Sequence, residues 1–421
     1  MGKLALHWQI LIGIVLAVIA GLLCGPDGAI LGVKGVGVFD FIGSLFLRAL
    51  QMLVVPLILG AVILAAARLG VEKSMGRLGL KTLGYYMGTG LVAILTALII
   101  INVVSPGRVD PAISERLVSL AKTDVKDAQA KIEGHSAADV VGILQRMIPD
   151  NVFAAASDNR QMLGLIVFGL LFGYCAGRLP NPQRTGFLQW WQSFYDIMMQ
   201  ITDIVVRFAP IGVFGLVAET VATTGLDTVG PLFRFALCVI AALAFHMFVS
   251  LPIILRLFGI HPFRHFAAMA PALLTAVTTA SSNATLPMTL ECLEKRSGVS
   301  ERVRGFFIPV GANINTDGTA LYECAAAMFI AQIYGIEITL AVQFTVVALA
   351  LLTSIGVAGV PAASLVAIAI ILNAIGLPLE GVGMILAVDR ILDMCRTSVN
   401  VYGDSCGAVI IARSEGEKLA Y

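Results

Sequence analysis

The sequence predicts an all-α polytopic membrane protein: eight transmembrane helices plus two oppositely oriented re-entrant helical hairpins, arranged as inverted repeats. Three observations predict it. Of 421 residues, 58% are hydrophobic and only 13% charged, with a mean hydropathy of +0.90; ordinary soluble domains carry about 25% charged residues. Beyond residue 267, the apolar segments are split by short runs of Ser, Thr, Asn, Gly and Pro. Finally, Lys and Arg collect in some loops and avoid others, which sets orientation in a bilayer. With 42 glycines and long unbroken apolar runs, the chain does not read as a barrel of alternating strands. A net charge of +1 suggests no nucleic-acid partner.

Taken in order, span one covers about 8–24, span two 39–67 and span three 82–104. Only Lys3 precedes the first apolar run, and no small-residue cleavage site is evident, so span one reads as retained. Residues 105–137 form the one long polar insert and read as an extramembrane loop. Around it, 140–155 and 162–175 look like a broken fourth segment. Span five runs about 187–222 with a kink at Pro210, and span six 232–257. Then the regular pattern fails. Segment 267–290 is split at Thr278 to Asn283, segment 305–333 at Asn313 to Thr319, and segment 341–377 at Ser354 to Pro361. The last segment, 383–412, carries a polar stripe at Asp389, Asp393, Arg396, Thr397, Asn400 and Asp404.

Basic residues follow span two (Arg68, Lys73, Arg77, Lys81) and recur at Arg178 and Arg184, at Arg256 and Arg264, from Lys295 to Arg304, and at Arg413 and Lys418. None lies in 225–230, 335–340 or 376–383. If 267–290 and 341–377 each enter and return to their own side, every strong basic cluster falls inside. Both termini then lie in the cytoplasm. Hairpin plus broken helix (267–333) is followed by hairpin plus broken helix (341–412) in opposite orientation. Paired interrupted segments in inverted halves point to a binding site near the bilayer midplane.

The stripe has a physical cost. An unpaired charge at the bilayer centre costs about 2.5–3.5 kcal/mol on insertion scales, so the stripe faces a partner or a polar cavity. The bland readings are a solvated face or charges that only pair with one another. The hairpin tips offer hydroxyls, an amide and free backbone N–H groups at Ser281, Ser282, Asn283 and Gly356 to Gly359. Half-helix N-termini attract carboxylates. Asn315, Asp317, Asn400 and Asp404 offer hard oxygens suited to a small alkali cation. Arg396 can hold a carboxylate bidentately, and Asp393 can accept from an ammonium group. Together these fit a ligand with two carboxylates and one amine. The seven cysteines are scattered, without metal-ligand spacing or a disulfide framework, and read as small buried hydrophobes.

Four motifs, in order, also carry a resemblance: Ser281-Ser282-Asn283-Ala284-Thr285-Leu286-Pro287, Asn315-Thr316-Asp317-Gly318-Thr319, Gly356-Val357-Ala358-Gly359-Val360-Pro361 and Asp393-Met394-Cys395-Arg396-Thr397-Ser398-Val399-Asn400. They resemble the serine-rich hairpin, the NMDGT break, the glycine-proline hairpin and the last-helix motif of the dicarboxylate/amino acid:cation symporters, the glutamate transporter family. The resemblance covers nearly the whole chain. It implies a homotrimer in the inner membrane with an elevator fold. Residues 1–260 would be mostly scaffold and trimerisation spans, with span three and parts of spans two to six packing on a mobile transport domain. That domain's core would be 261–413, and 414–421 a cytoplasmic tail.

The resemblance implies site roles as well. Arg396 would bind the substrate side-chain carboxylate and Asp393 its amino group. Asn400 and Ser282 would hold the main-chain carboxylate, with Thr319, Thr397 and Gly359 lining the pocket. Having both Arg396 and Asp393 favours glutamate and aspartate over neutral amino acids or plain dicarboxylates. Sodium sites would use Tyr86, Thr89, Asn315, Asp317, Asn400 and Asp404, with Ser354 and carbonyls of the second hairpin. No bound cofactor is implied, only co-transported Na+ and/or H+.

Asp404 favours sodium, because several proton-coupled bacterial relatives have asparagine there. Three departures weigh against at least one sodium site: Thr316 in place of methionine, Gly90 in place of serine, and Val357 in place of threonine. Glu323 follows Asp317 in an apolar run, where sodium-only archaeal members have glutamine. An apolar surround disfavours a charged carboxylate, which makes Glu323 the candidate proton carrier; the bland reading is a structural acid. Tyr85, Trp190 and Trp191 read as packing or interfacial aromatics. His7, His246, His261 and His265 read as lying near span ends and not as ligands, and Arg390 as compensating Asp389 or Asp393. A channel lacks a filter ring here, and an intramembrane hydrolase lacks a histidine in the motif cluster to serve as base.

Overall fold

The computed structural model describes residues 6–30, 33–70, 76–110, 148–157, 162–225, 229–336, 338–356, 363–379 and 381–421. Most of the polar insert lies outside these residues. The described chain is almost wholly helical, which lets each segment satisfy its backbone polar groups internally. Two residues of antiparallel pairing, Ala29 with Lys34 and Ile30 with Val33, join the first helices.

Helix α1 (Leu6–Cys24), α2 (Gly35–Gly70) and α3 (Gly76–Val104) match the first three apolar runs. After α4 (Val152–Ser157) and α5 (Met162–Gly177) comes α6 (Gln183–Arg207), the most amphipathic helix. It stops at Phe208, and α7 (Ala209–Thr224) restarts with Pro210 in its first turn. Proline is tolerated there because its missing N–H would be unpaired anyway, so Pro210 marks a break between two helices.

Span six is α8 (Val229–Phe245), a five-residue π segment (His246–Ser250) and α9 (Leu251–Leu257). The π segment lies just before Pro252. A proline ring clashes with the carbonyl four residues back, here that of Phe248, and one widened turn relieves the clash. Residues 79–104 and 230–257 are long and apolar enough to cross a bilayer.

The first interrupted segment is α10 (Pro262–Thr279) and α11 (Ser282–Cys292), which fold back on each other. Ala280 sits in the left-handed region at φ 49° and ψ 40°. Ser281 then caps α11, its Oγ accepting from the N–H of Ala284 at 3.2 Å. The second is α12 (Glu301–Ile314) and α13 (Asp317–Ile333), which do not fold back. Asn315 between them is extended, at φ −103° and ψ 101°. The third is α14 (Leu340–Gly356) and α15 (Ala363–Ile375); the tip between them, including Gly359, lies outside the described residues.

The last segment corrects an expectation. It reads as a broken helix from its polar content, yet α16 (Gly381–Ser414) is continuous. It contains no proline, and its polar side chains find partners on one another, as Arg396 does on Asp393, or at the α12–α13 break, as Asn400 and Asp404 do. Beyond it the chain returns over the end of α11: Ala420 N–H donates to the Ser297 carbonyl at 3.0 Å, and Ser300 N–H to Glu417 at 3.0 Å.

Helices α1, α2, α5, α6 and α7 pack mainly on one another. Helices α3, α8 and α10 to α16 form a second group centred on α13 and α16. The side chains of α13 are nearly all buried. The cysteines carry no disulfide; four are buried, Cys24 and Cys395 half-buried, and Cys175 exposed.

Candidate functional site

The break between α12 and α13 exposes the first backbone N–H groups of α13, which need acceptors. Asn400 of α16 supplies one. Its Oδ1 accepts from Gly318 N–H at 2.8 Å and Thr319 N–H at 3.3 Å, while its Nδ2 donates to Thr319 Oγ1 at 3.1 Å. Asn400 thus ties the last helix to the break.

Beside it lies an oxygen-rich cluster. Asn315 Nδ2 donates to Asp404 Oδ1 at 3.0 Å, and the Tyr86 hydroxyl to the Phe307 carbonyl at 2.8 Å. Two glycines permit this crowding. A Cβ at Gly311 would lie 2.6 Å from both Asp404 Oδ1 and Tyr86 Oη, and one at Gly403 would lie 2.8 Å from Asp317 Oδ2. Tyr86, Asn315, Asp317 and Asp404 therefore converge where α3, the α12–α13 break and α16 meet. All four are buried, and Asp317 is 0% exposed. Thr89, one turn along α3, is also buried, with its hydroxyl donating to the Tyr85 carbonyl at 3.1 Å. Thr316 Oγ1 reaches the Ser354 carbonyl at 3.4 Å, so the break also touches the end of α14. Among the described residues, no three of His, Cys, Asp and Glu are placed to hold one metal ion. The amide, hydroxyl and carboxylate oxygens here are the ligand chemistry of a hard alkali ion.

About one to three turns before Asn400 on α16 is a charged cluster. The Arg396 side chain is buried with its Cζ 4.0 Å from the centre of the Tyr322 ring, a cation–π arrangement. Its Nη2 lies 2.9 Å from Asp393 Oδ1 and 3.2 Å from Asp389 Oδ1. Its Nε and Nη1 have no hydrogen-bond partner. Asp393 is held from its other side by Arg390 Nη1, 3.2 Å from Oδ2. Thr397 Oγ1 donates to the Asp393 carbonyl at 2.8 Å. Breaking a buried ion pair by removing one partner costs about 3–5 kcal/mol, which bears on Arg396 and Asp389 more than on the partly exposed Arg390 and Asp393.

Glu323, 0% exposed, lies on α13 next to Tyr322. Its Oε2 accepts from Thr353 Oγ1 at 2.7 Å and its Oε1 has no partner. Thr353 immediately precedes Ser354 on α14, so the acid is tied to an arm of the third interrupted segment.

The structure thus gathers Tyr86, Asn315, Asp317 and Asp404 in one place, Asp393, Arg396 and Thr397 in a second, and Asn400 and Thr319 at the α13 N-terminus. Ser282 is half-buried in the first turn of α11, which packs on α16. Gly359 lies outside the described residues. Tyr85 packs at the site, its hydroxyl donating to the Gly403 carbonyl at 2.9 Å. Trp190 is largely exposed on α6 and stacks on Phe194.

Four partners escape the sequence reading. Asp389 pairs with Arg396, seven residues on, which the stripe's own spacing could have suggested. Thr353, Tyr322 and His246 carry no local signal. His246 corrects an expectation: it lies in the interior of span six, fully buried, with Nε2 3.4 Å from Asp317 Oδ2. It opens the five-residue π segment of span six.

Comparison with known proteins follows the same outline. The model of the sodium:dicarboxylate symporter family matches residues 6–414. The chain is similar to the "Proton/sodium-glutamate symport protein" of Bacillus caldotenax, 34% identical over 99% of this chain and 96% of the relative. It is also similar to the "Proton/glutamate-aspartate symporter" of Escherichia coli, 34% identical over 98% of this chain and 93% of the relative. A mammalian relative, "Excitatory amino acid transporter 3" of Mus musculus, is 32% identical over 98% of this chain and 86% of its own length. The mostly helical architecture accords with a helical membrane transporter. The chain belongs to the sodium:dicarboxylate symporter family.

Proposed function

We propose that this protein is a secondary active symporter that imports glutamate or aspartate across the cytoplasmic membrane, driven by a cation gradient. The observation that carries the reading is Arg396, buried with two unpartnered guanidinium nitrogens beside Asp393. A substrate carboxylate takes the guanidinium, and the substrate ammonium takes Asp393 in exchange for its arginine contacts. Asn400, Thr319, Ser282, Thr397 and Gly359 complete the pocket. Names of relatives from Bacillus caldotenax and Escherichia coli support glutamate and aspartate as substrates.

Sodium is the favoured coupling ion. It binds among Tyr86, Thr89, Asn315, Asp317, Ser354, Asn400 and Asp404. A proton is carried in addition by Glu323, whose hydrogen bond to Thr353 links its state to the second hairpin. The missing hydroxyl at Gly90 favours a second reading, in which protons alone drive uptake; a C4-dicarboxylate carrier is the remaining variant.

The chain crosses the membrane eight times, with re-entrant hairpins at α10–α11 and α14–α15 and both termini in the cytoplasm. The two packing groups support a division into scaffold and mobile transport domain, with α3 and α8 riding with the latter, and a homotrimer in the bilayer. Counterflow tests the carrier class. Proteoliposomes preloaded with unlabelled aspartate take up labelled aspartate faster than empty ones; an uptake rate indifferent to preloading would indicate a channel.

A further inference from the structure

Asp317 is a fully buried carboxylate with few partners. Among the described residues, the one hydrogen-bond-distance contact to its side chain is His246 Nε2, 3.4 Å from Oδ2. Oδ1 is buried and unpartnered. The two oxygens face different surroundings. A Cβ at Gly403 would lie 2.8 Å from Oδ2, so Oδ2 is wedged between α16 and the imidazole. A Cβ at Gly90 would lie 3.6 Å from Oδ1, so Oδ1 faces α3, one residue from Thr89.

His246 is the first residue of the π segment, which packs on α3 and α16. Single-turn π segments inside helices recur at functional sites. Groups that hold a metal ligand from behind set its orientation, and their loss typically costs 10–100-fold in affinity.

We infer that His246 is a positioning residue for the cation site: its imidazole Nε2–H donates to Asp317 Oδ2 and so holds Oδ1 toward the cation. At a site where Gly90 offers no side-chain oxygen, the aim of Oδ1 matters more than it would in a fuller ligand set. The inference rests on Asp317 being a cation ligand, as proposed above.

The test is the Na+ dependence of aspartate counterflow in proteoliposomes of the full chain, with Na+-dependent aspartate binding in detergent as a second readout. In His246→Ala, half-saturating Na+ rises by about 10–100-fold while the maximal rate at saturating Na+ stays within about threefold. His246→Gln, whose Nε2 can take the place of the imidazole Nε2–H, restores Na+ affinity to within about threefold; His246→Asn, with a shorter reach, does not. Unchanged Na+ affinity in His246→Ala overturns the inference, as does a glutamine variant no better than asparagine, a comparison that holds even if alanine does not fold. Asp317→Asn separates the two levels. If it shifts Na+ dependence and the His246 variants do not, only the positioning role fails. If Asp317→Asn shifts nothing, or the unaltered protein ignores Na+, the cation-site reading fails with it.

Discussion

Replacing Arg396 by cysteine removes the one guanidinium at the centre of the charged cluster. Two of its nitrogens have no partner. If each donates a charge-assisted hydrogen bond to the substrate carboxylate, each is worth about 1.5–3 kcal/mol. Their loss totals about 3–6 kcal/mol, or roughly a 10²- to 10⁴-fold weaker Kd for aspartate. The fold also suffers, because Asp389 loses its ion-pair partner 3.2 Å away, whereas Asp393 keeps Arg390. Removing one member of a buried pair costs about 3–5 kcal/mol, so the assay must separate binding from unfolding. Aspartate binding to the detergent-purified variant, measured beside its thermal unfolding curve, does so. The cavity left by the guanidinium is less hostile to uncharged side chains, so uptake of a small neutral amino acid rises relative to aspartate. A folded Arg396→Cys protein that binds aspartate within tenfold of the unaltered affinity would refute the assignment of Arg396 to the substrate carboxylate.

Three further predictions follow from the same geometry. Glu323→Gln keeps an acceptor for Thr353 but has no ionisable proton to carry, so homoexchange persists while its pH dependence flattens; an unchanged pH profile makes Glu323 a structural residue. Gly311→Ala places a Cβ 2.6 Å from Asp404 Oδ1 and Tyr86 Oη, which pushes the oxygens apart; half-saturating Na+ rises at least tenfold, and an unaltered value would mean that these oxygens do not bind the cation. Ala280→Gly removes the left-handed penalty of about 1–2 kcal/mol, partly offset by backbone entropy of about 0.5–1 kcal/mol, so the melting temperature stays level or rises slightly, and a clear fall would contradict the tight turn described at the hairpin tip.

The parts of the fold that could be read in the sequence are those with local signatures. Apolar run lengths gave most helices to within a few residues, and Ala280-Ser281 and Asn315-Thr316 stood out because polar residues split apolar stretches there. The stripe on α16 was legible for the same reason, since Asp393, Arg396, Thr397 and Asn400 share a face by helical spacing. The same signal misled about continuity. Polar side chains were read as a broken backbone, whereas Asn400 and Asp404 are satisfied through their side chains, by Thr319 and Asn315, and leave the helix intact. Contacts between distant segments left no trace. Glu323 meets Thr353 across 30 positions and His246 meets Asp317 across 71, each from inside an apolar run. The span bounds of 232–257 already place His246 in the interior of its span, but its partner, 71 positions on, left no mark in the sequence.

The most direct measurement is uptake of labelled glutamate and aspartate into proteoliposomes under separately imposed gradients. The account predicts saturable accumulation of both with an inward Na+ gradient, and faster Na+-driven uptake when the outside is made acidic. Accumulation driven by the pH gradient alone, with no response to Na+, would contradict the cation assignment at Asp317 and Asp404; accumulation of neither amino acid under either gradient would contradict the proposed function itself.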